Sequence, residues 1–97
     1  MEDTFFHVVL NIKSGEEFQV FGKFFLGSNK NFADTIFQKL KGDKKITSKA
    51  IICVELHETR QDLPLNIQIL ACTLEELAEN CKMITKEVFK QYNLEER

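Results

Sequence analysis

Glu17–Leu26 reads EFQVFGKFFL, and it sets large apolar side chains at both odd and even positions of a segment whose composition favours a strand. Successive side chains of a strand point to opposite faces. Unbroken alternation therefore puts Phe18, Val20, Phe24 and Leu26 on one face, and Phe21 and Phe25 on the other. Both faces then need cover. Gly22 lies mid-strand, where a glycine marks a bulge or a close backbone approach.

Working outward, Phe5–Ile12 alternates Phe6, Val8, Leu10 and Ile12 against Phe5, His7, Val9 and Asn11, a strand with one apolar and one mixed face. Between the two strands stands Lys13-Ser14-Gly15-Glu16, with Gly15 free to take the positive φ of a tight turn, so a hairpin is expected. On the other side Gly27-Ser28-Asn29 ends the alternation. Phe32, Ile36, Phe37 and Leu40 then recur at the spacing of one helical face. Ser28 or Asn29 is placed to cap that short helix and Gly42 to end it.

After a polar loop, alternation returns from Lys49. Ala50, Ile52, Val54 and Leu56 fall on one side, Ile51, Cys53, Glu55 and His57 on the other. Polar Glu58–Asp62 leads to a fourth strand, with Leu65, Ile67, Ile69 and Ala71 alternating with Asn66, Gln68 and Leu70. Pro64 suits its first position or an edge. Thr73-Leu74-Glu75-Glu76 has the form of a capping box. Behind it Leu74, Leu77, Ala78, Cys81, Ile84, Val88 and Tyr92 trace one stripe of a long helix, and Asn93–Arg97 is left as a tail.

The order ββαββα defines an α+β domain, two helices packed on one face of a four-stranded, mainly antiparallel sheet, a two-layer sandwich. An offset of 45 residues maps Ser28 onto Thr73, Phe32 onto Leu77 and Phe24 onto Ile69. It also puts Val8 onto Cys53, against the face pattern.

The 97 residues fit one domain, 1–97, able to bury about two thirds of its unfolded surface. With 43% hydrophobic and 29% charged residues and no long apolar run, the composition is that of a globular chain rather than a membrane-spanning one. The acidic start MEDTFF lacks the basic region of a secretory signal. Cys53, Cys72 and Cys81 are an odd number without CxxC spacing, which fits reduced thiols, and a cytoplasmic location is expected. Thirteen basic and fifteen acidic side chains give a net charge of −2, which disfavours general nucleic-acid binding. Lys39, Lys41, Lys44, Lys45 and Lys49 form a local basic run, explained by solvation and by a helix C-terminus.

If the helices cover Phe6, Val8, Leu10, Val20, Phe24, Ile52, Val54, Ile67 and Ile69, the second face presents Phe5, Val9, Phe21, Phe25, Ile51, Cys53 and Leu70 among polar residues. Exposed apolar patches beyond a few hundred Å² mark interaction sites. The expectation is a small non-enzymatic interaction module that self-associates, most simply as a two-fold homodimer, through Phe5, Val9, Phe21, Phe25, Ile51 and Leu70. The competing expectation is that the sheet coils enough to hide this face within one chain. A function of another class would use the same face to bind a small ligand or a divalent metal, with His7, Glu55 and His57 as donors if their strands are adjacent and in register. Phe5, Phe21 and Phe25 beside Lys23 resemble a base-stacking platform, but Lys23 is the single cation there. No nucleotide-binding glycine pattern, no GxSxG and no HExxH occurs, so no catalytic residues and no cofactor are assigned.

Overall fold

The computed structural model describes residues 4–92. Their elements follow the expected order: β1 Thr4–Ser14, β2 Glu17–Gly27, α1 Lys30–Lys39, β3 Ile52–Arg60, β4 Leu63–Cys72 and α2 Leu74–Gln91. The tail expected at Asn93–Arg97 lies outside the described residues. The strands form one sheet in the order β2-β1-β3-β4, with every neighbouring pair antiparallel. Two consecutive hairpins thus meet along β1 and β3.

Local chemistry sets the element ends. Gly15 takes φ 69° at the first position of the β1–β2 turn, the backbone that a two-residue hairpin demands. The β3–β4 connection is equally tight. Strand β3 runs on through Glu58 to Arg60, and only Gln61 (φ 50°) and Asp62 (φ 69°) turn the chain. The polar character of Glu58–Asp62 reads as a loop, yet a two-residue turn with both φ positive matches strand twist and lets the ladder continue to its end. Helix α1 is capped by Asn29, whose side chain accepts from the Phe32 amide at 3.0 Å. It ends at Leu40, two residues before Gly42. Helix α2 carries the full capping box, Thr73 and Glu76 each bonding the other's backbone amide.

One core cluster joins Phe6, Val8, Leu10, Leu26, Ile52, Val54, Leu56 and Leu70 of the strands with Ala33, Ile36, Phe37 and Leu40 of α1 and Leu77 and Ile84 of α2. Leu74, expected in the α2 stripe, is exposed at the first helical position, and Ala78 is exposed too. Tyr92 ends α2, and its hydroxyl donates to the Leu26 carbonyl at 3.1 Å. Gly27 makes room for that ring, because a Cβ there would lie 1.9 Å from the tyrosine oxygen. Helix α2 therefore starts beside the end of β4 and finishes at the end of β2.

Beyond α1, the chain is stitched to the end of β4. Asp43 and Ala71 exchange two backbone hydrogen bonds of 2.8 Å, which pairs part of an otherwise open sheet edge. Buried Asn80 of α2 completes the stitch. Its Oδ1 accepts from the Lys41 amide and its Nδ2 donates to the Lys41 carbonyl, both at 2.8 Å. A planar side-chain amide here stands in for a paired strand backbone. Asn80→Leu keeps the branched outline but leaves the Lys41 amide unpaired and its carbonyl with only the weak Cys72 thiol donor, so urea unfolding should show a loss of about 1–3 kcal/mol.

Candidate functional site

Three register shifts decide which side chains reach the second face, the one carrying His7 and Val9; the first, between Phe6 and His7, leaves Leu26 extra near the end of β2. In the β1–β2 ladder Leu10 pairs with Gly22 and Asn11 with Val20, leaving Phe21 as the extra residue. In the β3–β4 ladder Leu56 pairs with Gln68 and His57 with Asn66, leaving Ile67 extra. Directly opposed residues share a face. Phe18 and Val20, opposite Lys13 and Asn11, therefore leave the core side and join the second face. Ile69, opposite Glu55, does the same.

Several expected members of the second face are placed otherwise. Leu70, opposite Val54, belongs to the core and is 5% exposed. Val9 and Cys53 lie on the second face but are buried, Val9 to 1% exposure. Ile51 precedes β3 and is exposed, its carbonyl accepting from the Lys13 amide at 2.8 Å. Phe21 is exposed at its bulge. Phe5 and Phe25 are where alternation puts them, half-exposed and stacked with ring centroids 5.8 Å apart. Bulges bend a strand and raise its twist, and with two register shifts in β2 and one in β4 the middle of the second face is recessed while Phe18, Val20 and Phe25 stand out on the β2 side.

Along that recessed middle the two central strands set titratable and polar groups in register. His7 pairs with His57, Val9 with Glu55 and Asn11 with Cys53. His57 Nε2 and Glu55 Oε1 are 2.6 Å apart. The His7 ring lies 5.3 Å from that of Phe25. His7 is held below the ordinary histidine pKa, first by burial and then by the neighbouring Lys23 and His57 charges. A depressed value favours the neutral ring in the folded state, so its contribution to stability is present above the ordinary histidine value and fades as the pH falls through the lowered one. Burial and then Glu55 push the Cys53 thiol up, the reverse of what a reactive thiolate needs. All three cysteines are free, and burial first, with Glu76 next, lifts Cys72 to about 11.

The strand adjacency needed for a His7, Glu55 and His57 donor set is present, but among the described residues no group of three or more His, Cys, Asp or Glu side chains is arranged to hold a metal ion. Sequence reading also missed Asn11. It is 6% exposed and its Nδ2 has no hydrogen-bond partner. A polar residue between Leu10 and Ile12 was a visible signal, but burial on the mixed face depends on the bend of the outer strands. No protein-family model, no curated protein and no solved structure matches the chain.

An unpaired buried amide costs about 1–3 kcal/mol, and an apolar residue of similar shape avoids that cost. Asn11→Val is therefore expected to stabilise the protein by roughly 1 kcal/mol in urea unfolding, with near-unchanged far-UV circular dichroism.

Proposed function

We propose that this protein is a non-enzymatic interaction module that associates with a second copy of itself through the second face of its sheet, forming a two-fold dimer. In this reading α1 and α2 both lie on the core face, so that each protomer is a two-layer sandwich. A least dimension of 20 Å supports two layers rather than three, as does the single core cluster shared by both helices and by one alternating set of strand residues.

The observation that carries the proposal is the exposure of Phe5 at 39%, Phe18 at 42%, Phe25 at 53% and Val20 at 54% on one face. Together they leave on the order of 300 Å² of apolar surface per copy, at the size where exposed patches become interaction sites. Burying this on both copies at about 25 cal/mol/Å² yields roughly 15 kcal/mol before association costs of about 4–15 kcal/mol. The balance describes a reversible dimer rather than an obligate one. Because Val9 and Cys53 are already buried, contact falls on the β2 side of the face and not on its middle.

Sedimentation equilibrium at about 100 µM is expected to give a dimer, a concentration suited to the modest net gain. Val20→Asp, at an exposed position that contributes nothing to the core, should leave a folded monomer. A wild-type protein that stays strictly monomeric at that concentration would overturn the proposal.

A further inference from the structure

Toward the Thr4 end of β1 the second face holds a hollow of about 290 Å³, lined among others by His7 of β1, Lys23 of β2, and His57 and Thr59 of β3. Three nitrogen bases and a hydroxyl converge there from three adjacent strands. The register explains the convergence. His7 and His57 are directly paired, Lys23 stands opposite Val9, and Thr59 lies two residues beyond His57 on the same side. No ion pair to Lys23 forms among the described residues, so its ammonium is available to a ligand. Two carboxylates stand nearby. Glu55 is engaged by His57, and Asp62 reaches the hollow from the β3–β4 turn.

We infer that this hollow is a binding site for a small oxyanion, a phosphate or carboxylate group, held by Lys23 and the paired rings of His7 and His57 with Thr59 as a further donor. An ammonium, the His7 imidazole, the His57 nitrogen not engaged by Glu55 and a hydroxyl supply several donors to a compact anion, and charge-assisted bonds of this kind are the strong ones. The volume suits an ion or a small acid rather than a drug-sized molecule. Burial first, and then the charges of Lys23 and His57 beside it, hold the His7 pKa below the ordinary histidine value. An anion in the hollow offsets those charges, so its binding is coupled to proton uptake by His7 and strengthens as pH falls through the His7 titration. Asp62 acts against the anion and sets a ceiling on affinity. The site stands independently of self-association, since Lys23, His7 and His57 all belong to one chain.

The chain contains two histidines, and both line the hollow, so every histidine ring signal in an NMR spectrum reports on this site. Inorganic phosphate and, separately, acetate are titrated at constant ionic strength with chloride as the reference salt. Saturable movement of both ring signals with an upward shift of the His7 titration is expected. A response to phosphate alone identifies a phosphate group, and one to acetate alone a carboxylate. Lys23→Gln should weaken binding about tenfold or more, whereas Lys86→Gln, the same charge change on α2, should leave it unaltered. Asp62→Asn should tighten it. The same titration on the Val20→Asp variant separates this site from the dimer, since binding there persists whether or not the protein associates. Ring signals that follow ionic strength alone, or a Lys23→Gln variant that binds as the wild type does, would overturn the inference.

Discussion

Register in the two outer strands is the constraint on which the rest of this molecule depends. Side chains in a strand repeat every two residues, so a single extra residue exchanges every position beyond it between faces. Phe21 in β2 and Ile67 in β4 are such residues, and Leu26 near the end of β2 is a third. Phe24 keeps its place on the core side opposite Val8, whereas Leu70 is brought to it opposite Val54. Above the β2 bulge, Phe18 and Val20 are turned outward. The bulges therefore exchange apolar residues between the two faces, Phe18 and Val20 outward and Leu70 inward, and they bend the strands that flank the buried middle of the second face.

The two bulges are also related to each other. A shift of 46 residues carries Phe21 onto Ile67 and the Leu10/Asn11 step onto the Leu56/His57 step. It carries Val8 onto Val54 as well, which restores the face pattern that an offset of 45 breaks. The helix caps follow a different shift, Asn29 onto Thr73 at 44. The hairpins share the Phe21 and Ile67 bulges, β1–β2 adds a further shift at Leu26 that β3–β4 lacks, and the link from hairpin to helix is shorter in the second half. A single fixed offset read from the sequence averages these two values and matches neither. The Val9 and Glu55 pair, also separated by 46 residues, marks the pseudo-two-fold axis between the hairpins.

Most of the architecture was legible in the residues because it rests on short-range chemistry. Thr73 and Glu76 announce a helix start, Gly15 a turn, and the Phe6-Val8-Leu10 and Ile52-Val54-Leu56 alternations two central strands. In β4 the same reasoning failed. Leu65, Ile67, Ile69 and Ala71 alternate without interruption in sequence, yet a bulge at Ile67 sends Ile69 to the second face and Leu70 to the core. Nothing local distinguishes a valid alternation from one that a bulge will break, except the glycine that β2 has at 22 and β4 lacks. Of the candidate site, the pairing of His7 with His57 required only that β1 and β3 be adjacent and in register, a condition stated by topology and not by composition. Lys23 was visible on that face as a lone cation, while the contributions of Thr59 and Asp62 depend on a tight Gln61-Asp62 turn that the polar run Glu58–Asp62 disguises as a loop.

The second face separates its polar and its exposed apolar groups by strand. The central strands β1 and β3 carry the polar pairs His7–His57 and Asn11–Cys53, whose backbones are fixed by neighbours on both sides. Edge strand β2 carries Phe18, Val20 and Phe25 with one flank open. Rigid backbone suits groups that must converge on a small ligand to within a fraction of an ångström, while apolar association is non-directional and tolerates the less constrained edge. Phe25 belongs to both regions, stacking on Phe5 at 5.8 Å and on His7 at 5.3 Å. A partner that buries Phe25 also removes water from the His7 side of the hollow and strengthens electrostatic interactions within it. The proposed anion site and the proposed association surface thus meet at a single ring.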